Sequence, residues 1–216
     1  VAIAKGVVPT ASGQRVWYGD LDKPQWTFLF QSGTTPTLNV LALFISGNVT
    51  EWVDYANGGS PSLDKIKSLI RTAPIPIHAV CGGHQLVAKA INNNDRAVDH
   101  VHPPNNLPDD YEHNGVTRPV SLNNDGQRDP IYQNVTPEFR FWHHDEVTVL
   151  SPNAKLLATT VFSPKQSIRY SNNNSGDALI YTTQFHPEQD DQGYHNGQDY
   201  LKNFFGLVQK WWWNHE

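Results

Sequence analysis

Apolar positions along the chain gather in short runs separated by polar stretches, and the runs change period from one to the next. Ile75-Pro76-Ile77-His78-Ala79-Val80 has strand length, and after Cys81-Gly82-Gly83-His84-Gln85 the pattern resumes as Leu86-Val87-Ala88-Lys89-Ala90, a helical run. Upstream, Asp64 to Ile70 carries Ile66, Leu69 and Ile70 at helical spacing and predicts a helix that stops before Ala73-Pro74. Leu41 to Ile45 and Ala178 to Phe185 are further strands, and Phe139 to Leu150 and Lys155 to Val161 read as two more, joined by the turn Ser151-Pro152-Asn153-Ala154. Ile168-Arg169-Tyr170 and Leu179 to Phe185 predict a hairpin closed by residues 171–176. A last helix is expected from about Gln198 to Trp213, with Leu201, Phe204, Phe205 and Val208 along one face. Between Ile91 and Asn134 the chain is rich in Asn, Asp, Pro and His, with little apolar period beyond Val116 to Leu122. Loops and short strands around the mouth of a site are expected there. Strands alternating with helices predict an α/β fold, a mostly parallel central sheet flanked by helices.

Composition narrows the picture. With 216 residues and 38% of them hydrophobic, residues 1–216 are expected to form a single domain with a substantial core. The net charge of −5, with Lys and Arg scattered, offers no basic patch for phosphate, so no nucleic-acid partner is expected. A single cysteine excludes an internal disulfide framework and a cysteine-rich zinc site. The longest apolar runs have strand length, far short of the ~20 residues of a membrane helix, so no membrane partner is expected. The Asn-x-Ser/Thr triplets at Asn48, Asn134 and Asn173 arise readily by coincidence in so Asn-rich a chain, and cytoplasm is the expected compartment.

The candidate chemistry centres on Cys81, which sits where a strand meets a helix. Such an elbow holds the thiol clear of the sheet and aims the N–H groups of the helix start at it. A hundred residues on, the strand ending at Gln184-Phe185 delivers His186-Pro187-Glu188. A thiol, an imidazole to take its proton and a carboxylate to orient the imidazole are the set that acyl transfer requires. Taken singly, a lone cysteine is more often a small buried hydrophobe and a His-Pro-Glu more often a loop; together they point to a nucleophile, a base and its orienter. His100 with His102, and His143-His144-Asp145, have metal-ligand chemistry, but adjacent strand residues point to opposite faces, so His143 and His144 do not share an ion and no metal is expected.

Cys81-Gly82-Gly83-His84-Gln85 resembles the C-x-G-x-Q elbow of the class I glutamine amidotransferases, and Gln184-Phe185-His186-Pro187-Glu188 resembles their Q-F-H-P-E. Phe141 to Thr148, followed by Leu150-Ser151-Pro152 and Leu156-Leu157-Ala158, is similar to a segment of the branch that includes the glutaminase half of GMP synthetase. The likeness covers about residues 39 to 208. It implies a flavodoxin-like glutaminase fold and hydrolysis of glutamine, or another γ-glutamyl amide, through a cysteine acyl-enzyme. It implies Cys81, His186 and Glu188 as the catalytic triad, and the backbone N–H groups of Gly82 and Gly47 as the oxyanion hole. Gln85, His143, His144 and Asp145 are implied to border the substrate. No cofactor is implied, and a synthetase is the implied partner for the ammonia. A γ-glutamyl peptidase with the same triad and a non-catalytic binding module on the same fold are the competing readings.

The chain departs from the family pattern in three places. Ala79 stands where a Gly usually precedes the nucleophile, and Ser46-Gly47-Asn48-Val49 replaces the usual S-G-G-P. Residues 1–38 form an atypical N-terminal segment with Trp26 to Phe30 as its one clear strand, so the opening strand–helix unit is expected to be divergent or missing. The Trp211-Trp212-Trp213 tail cannot enter one core, because successive helical residues fan out by ~100°; at least one indole is expected to be exposed or to serve a contact.

Overall fold

A computed structural model describes residues 2–5, 17–20, 42–47, 52, 61–72, 74–101, 115–171, 179–189 and 196–214. Among them the strands are β1 (Ala2–Lys5), β2 (Trp17–Asp20), β3 (Leu43–Ile45), β4 (Ile77–Val80), β5 (Val98–His100), β6 (Val116–Pro119), β7 (Ser121–Leu122), β8 (Glu138–Phe141), β9 (Asp145–Val147), β10 (Ala154–Thr159), β11 (Ser167–Tyr170) and β12 (Ile180–Thr183). The α-helices are α1 (Pro61–Thr72), α2 (Gly82–Asn92), α3 (Asn124–Arg128) and α4 (Asn196–Trp213).

Among the described residues the main sheet has eight strands in the order β2-β1-β3-β4-β12-β11-β10-β7. Its centre is parallel: β3 and β12 both run alongside β4, with Leu43 and Ile180 each opposite Ile77. All other pairings are antiparallel. The expected mostly parallel sheet is therefore a mixed one, parallel only where helices can supply crossovers. The reason lies in connection length: β10 to β11 and β11 to β12 are joined by segments too short for a crossover helix, which favours antiparallel neighbours.

Burial on both faces explains the run of the central strands. All four residues of β4 and all four of β12 are buried, as parallel strands covered on both sides must be. Ile77, Ala79 and Ile180 face a core built with Ile66 and Ile70 of α1 and Leu86 and Val87 of α2. Tyr181 faces the opposite core, with Phe139, Phe141, Phe185 and the α4 residues Tyr200, Phe204 and Val208. Ala79 packs its methyl in the first core with no exposure.

Several expected elements end elsewhere. The strand expected over Phe139 to Leu150 is broken: β8 pairs with β6 and β9 pairs with β5, in two separate ladders. The break falls at Trp142-His143-His144, where the ladder is interrupted, the Trp142 carbonyl facing the Cys81 thiol and the His144 carbonyl accepting from Val101 N at 2.8 Å. In the polar region after Ile91, α3 and a 3₁₀ turn at Pro130–Tyr132 join the short strands. Both are started by side-chain caps: Asn123 accepts from Gly126 N at 2.9 Å and Asp129 from Ile131 N at 3.1 Å. Within residues 1–38, the structure has β1 and β2 paired as an antiparallel ladder beside β3. Both strands have four residues, too few to display a period. Trp26 to Phe30, the strand expected there, lies outside the described residues, as do Asn48, Val49, His102 and most of the expected hairpin turn at 171–176. Trp213 is 73% exposed while Trp211 and Trp212 are half-buried, their rings edge to face at 4.9 Å. Among the described residues no helix is long and apolar enough to cross a membrane.

Candidate active site

Cys81 occupies the single residue between β4 and α2, with φ 52° and ψ −115°. A side chain pays a steric cost at that positive φ, and the backbone is held there from both sides: Cys81 N donates to Thr183 O at 2.7 Å, and Cys81 O accepts from Gln85 N at 3.1 Å. The turn needs Gly83. A Cβ at that position would lie 2.3 Å from the carbonyl oxygen of Ile45, so β3 and the start of α2 approach more closely than any side chain permits. Gly47, two residues beyond β3, lies against the nucleophile, where an added Cβ would be 3.2 Å from Cys81 Cβ and 3.5 Å from Sγ. Gly82 is the first residue of α2, so its N–H has no intrahelical acceptor and is free to point at bound charge.

Because β4 and β12 are adjacent and parallel, the residues following their carboxyl ends meet. Cys81 follows β4, and His186 follows β12 through Gln184 and Phe185. The His186 backbone is fixed by donation to Arg140 O at 2.8 Å. Its Nδ1–H donates to Glu188 Oε1 at 2.7 Å, which leaves Nε2 as the acceptor tautomer. Nε2 is buried and lies near Cys81, whose thiol donates to the Trp142 carbonyl oxygen at 3.4 Å. Burial alone would lower the His186 pKa, yet the proximity of Cys81 and the Glu188 carboxylate together push it up to about 10. A proton passed from the thiol to Nε2 is therefore held by the ring at neutral pH.

The segment at Trp142–Asp145 forms one wall. His143 is buried, its Nδ1–H donating to Asp145 O at 3.1 Å, whereas His144 is exposed. The two rings therefore stand on different sides of the chain, and among the described residues no group of three His, Cys, Asp or Glu side chains is arranged to hold a metal. Asp145 turns toward His100, with 3.3 Å between Oδ1 and Nδ1. Gln85, expected along the substrate, has both of its N–H groups committed to protein, to Asp145 O at 2.7 Å and to Gln184 Oε1 at 3.1 Å.

Three contributors were not singled out from the sequence. The Trp142 carbonyl holds the thiol, but a backbone acceptor leaves no mark on residue identity. Gln184 stood within a quoted motif without an assigned role. His84, inside the elbow motif, is wholly buried and locks α2 to β12: its Nε2–H donates to Lys165 O at 3.0 Å while Nδ1 accepts from Thr182 Oγ1 at 2.7 Å. Burial lowers its pKa to about 3, so the ring is neutral.

Residues 30–207 match the sequence profile described as Glutamine amidotransferase class-I. The chain is 28% identical over 186 residues to a glutamine-hydrolyzing GMP synthase subunit of Pyrococcus abyssi, covering 81% of each chain. It is 30% identical over 151 residues to the protein of the same name from Methanococcus maripaludis, covering 68% of each. Among solved structures, a protein of Thermoplasma acidophilum described as a GMP synthase subunit superposes with a TM-score of 0.59 at 23% identity, over 81% of this chain and 75% of that one; this likeness concerns the fold.

Proposed function

The chain belongs to the class I glutamine amidotransferase family, and on that premise we propose that it hydrolyses the side-chain amide of glutamine to glutamate and ammonia, through an acyl-enzyme on Cys81, in a single domain. The observation that carries the proposal is the meeting of Cys81, on a strained elbow, with a His186 ring whose far nitrogen is held by Glu188 at 2.7 Å.

In this reading the Cys81 S–H proton passes to His186 Nε2 and the thiolate attacks the γ-carbonyl carbon, forming a C–S bond. The negative charge moves onto the carbonyl oxygen, where the N–H groups of Gly82 and Gly47 receive it. His186 then returns its proton to the amide nitrogen, the C–N bond breaks, and ammonia leaves. Water attacks the thioester, its proton going to His186 and then to the departing sulfur as glutamate is released. Glu188 keeps Nδ1 protonated throughout, so Nε2 alone exchanges protons. Gln85, His143, His144 and Asp145 border the substrate, Gln85 by shaping the wall because its N–H groups are already bound.

The relatives' names motivate a partner: a synthetase that consumes the ammonia. Slow glutamine hydrolysis by the purified chain is expected, with the glutamyl adduct on Cys81 detected by mass spectrometry. Fast cleavage of γ-glutamyl dipeptides with glutamine ignored would establish the peptidase reading instead. Absence of any adduct with either substrate would leave a non-catalytic module.

A further inference from the structure

Gln85 is tied at both ends of its carboxamide, and the third tie comes from a residue outside every motif. Its Nε2 donates to Asp145 O and Gln184 Oε1, and its Oε1 accepts from the indole Nε1 of Trp52 at 2.6 Å. Trp52 lies in the stretch between Gly47 and α1, thirty-three residues before its partner, where the apolar pattern defines no element. The opposite edge of the arrangement is also closed. The Lys89 ammonium, one turn along α2 from Gln85, stands 5.0 Å from the centre of the Trp52 ring and donates to Asp95 O. Gln85 itself is 4% exposed, so the loss of one member leaves a buried polar atom of this side chain without its partner.

The topology gives these contacts their reach. Trp52 belongs to the chain that leaves the sheet past Gly47; Asp145 O belongs to the wall whose Trp142 carbonyl holds the thiol; Gln184 belongs to the link from β12 to His186. Gln85 sits on α2 one turn after Cys81 and joins all three. The direction of its carboxamide is held from both sides: the Trp52 indole N–H can only donate and so faces Oε1, while the Asp145 carbonyl can only accept and so faces Nε2. Without that donor Oε1 is left a buried acceptor lacking its partner, and the carboxamide that ties the wall at Trp142–Asp145 to the helix carrying the nucleophile loses one of its anchors.

We propose that Trp52 is a positioning residue for the reaction: its indole N–H anchors the Oε1 end of the Gln85 carboxamide and thereby helps hold the substrate wall against the elbow. This rests on the glutaminase reading given above. Its test combines kinetics with a stability cycle that needs no activity. Trp52→Phe keeps an aromatic face for Lys89 while removing the N–H group and trimming the indole to a phenyl ring. It is expected to raise KM for glutamine about tenfold, the equivalent of one buried neutral hydrogen bond, while kcat changes by less than about threefold and iodoacetamide still labels Cys81. In urea unfolding, Trp52→Phe is expected to lower the midpoint more in the wild-type background than in a Gln85→Leu background, the shared remainder being lost ring packing. Additive effects of the two substitutions, or an unchanged KM in Trp52→Phe, would overturn the proposal. If the wild-type protein hydrolyses no γ-glutamyl amide, the glutaminase reading fails by itself. The cycle then decides separately, a coupled result keeping Trp52 as the organiser of this site and an additive one removing it.

Discussion

Replacing Gly83 by Ala tests whether the close approach of α2 to β3 sets the geometry of the site. Gly83 lies in the first turn of α2, where Ala is ordinarily favoured over Gly by roughly 1 kcal/mol. Against this, the new methyl would stand 2.3 Å from Ile45 O and 3.0 Å from both Ile45 C and Ile45 Cγ2. Ordinary contact needs roughly 3.4 Å or more, so strand and helix must separate by about 1 Å, and an insertion of this kind costs roughly 1–3 kcal/mol. Backbone forms one side of the clash, so rotamer adjustment does not relieve it, and the steric cost exceeds the propensity gain. A net destabilisation of about 1–2 kcal/mol is expected in urea unfolding. The functional effect is larger, because the displaced elements carry Gly47 two residues beyond Ile45 and Cys81 two residues before Gly83. A misplacement of about 1 Å between nucleophile and oxyanion donors lowers kcat/KM by roughly a hundredfold. Glutamine hydrolysis followed by coupled glutamate detection, beside the unfolding curve, measures both. Wild-type kcat/KM in a folded Gly83→Ala protein would refute the claim that this contact positions the elbow.

Other consequences follow from the same geometry. Cys81→Ala removes the nucleophile and keeps the positive φ strained, so hydrolysis should vanish with little change in stability. Cys81→Gly should be equally inactive yet unfold at higher urea than Cys81→Ala, because relief of strain worth roughly 1–3 kcal/mol outweighs the added entropy of Gly. Glu188→Gln should lower the His186 pKa from about 10, as followed by imidazole NMR, and reduce kcat/KM by roughly ten- to a hundredfold, less than His186→Asn, which deletes the base. His78 and His84 are both wholly buried with pKa values lowered from 6.5 to about 3 by burial. Between those limits the unfolded chain binds protons that the folded one refuses, so their contribution is intact above pH 6.5 and lost as pH falls toward 3. Each adds a slope of about 1.4 kcal/mol per pH unit in that window. Among the described residues, neither ring nitrogen of His78 has a hydrogen-bond partner, and the ring is packed among Phe44, Tyr200 and Phe204. His78→Phe should therefore raise stability and remove its share of the acid slope; an unchanged slope would contradict a neutral buried His78.

Residue order alone was enough to define the strand, elbow and helix around Cys81 and the strand delivering His186, because there the apolar period changes abruptly over a few residues and turn-forming glycines mark the change. The terminal helix was legible for the same reason, its apolar face repeating over many turns. Pairing direction was not legible. β10 and β11 look like any apolar strands, and only the assembled sheet shows that they run antiparallel beside a short parallel centre. The split of the segment around Trp142 was likewise hidden, since its two halves find different and distant partners, β8 pairing with β6 and β9 with β5. Trp52 left no local signal either, because an indole donor acquires its meaning only when the fold brings the Gln85 carboxamide to it. The sequence by itself determined which groups are available for chemistry and on what kind of element each is carried, since local sterics and period act between near neighbours. Which of them meet, in what orientation and with which protons held, was decided by the parallel register of β4 and β12, a long-range packing solution that no short stretch of the chain encodes.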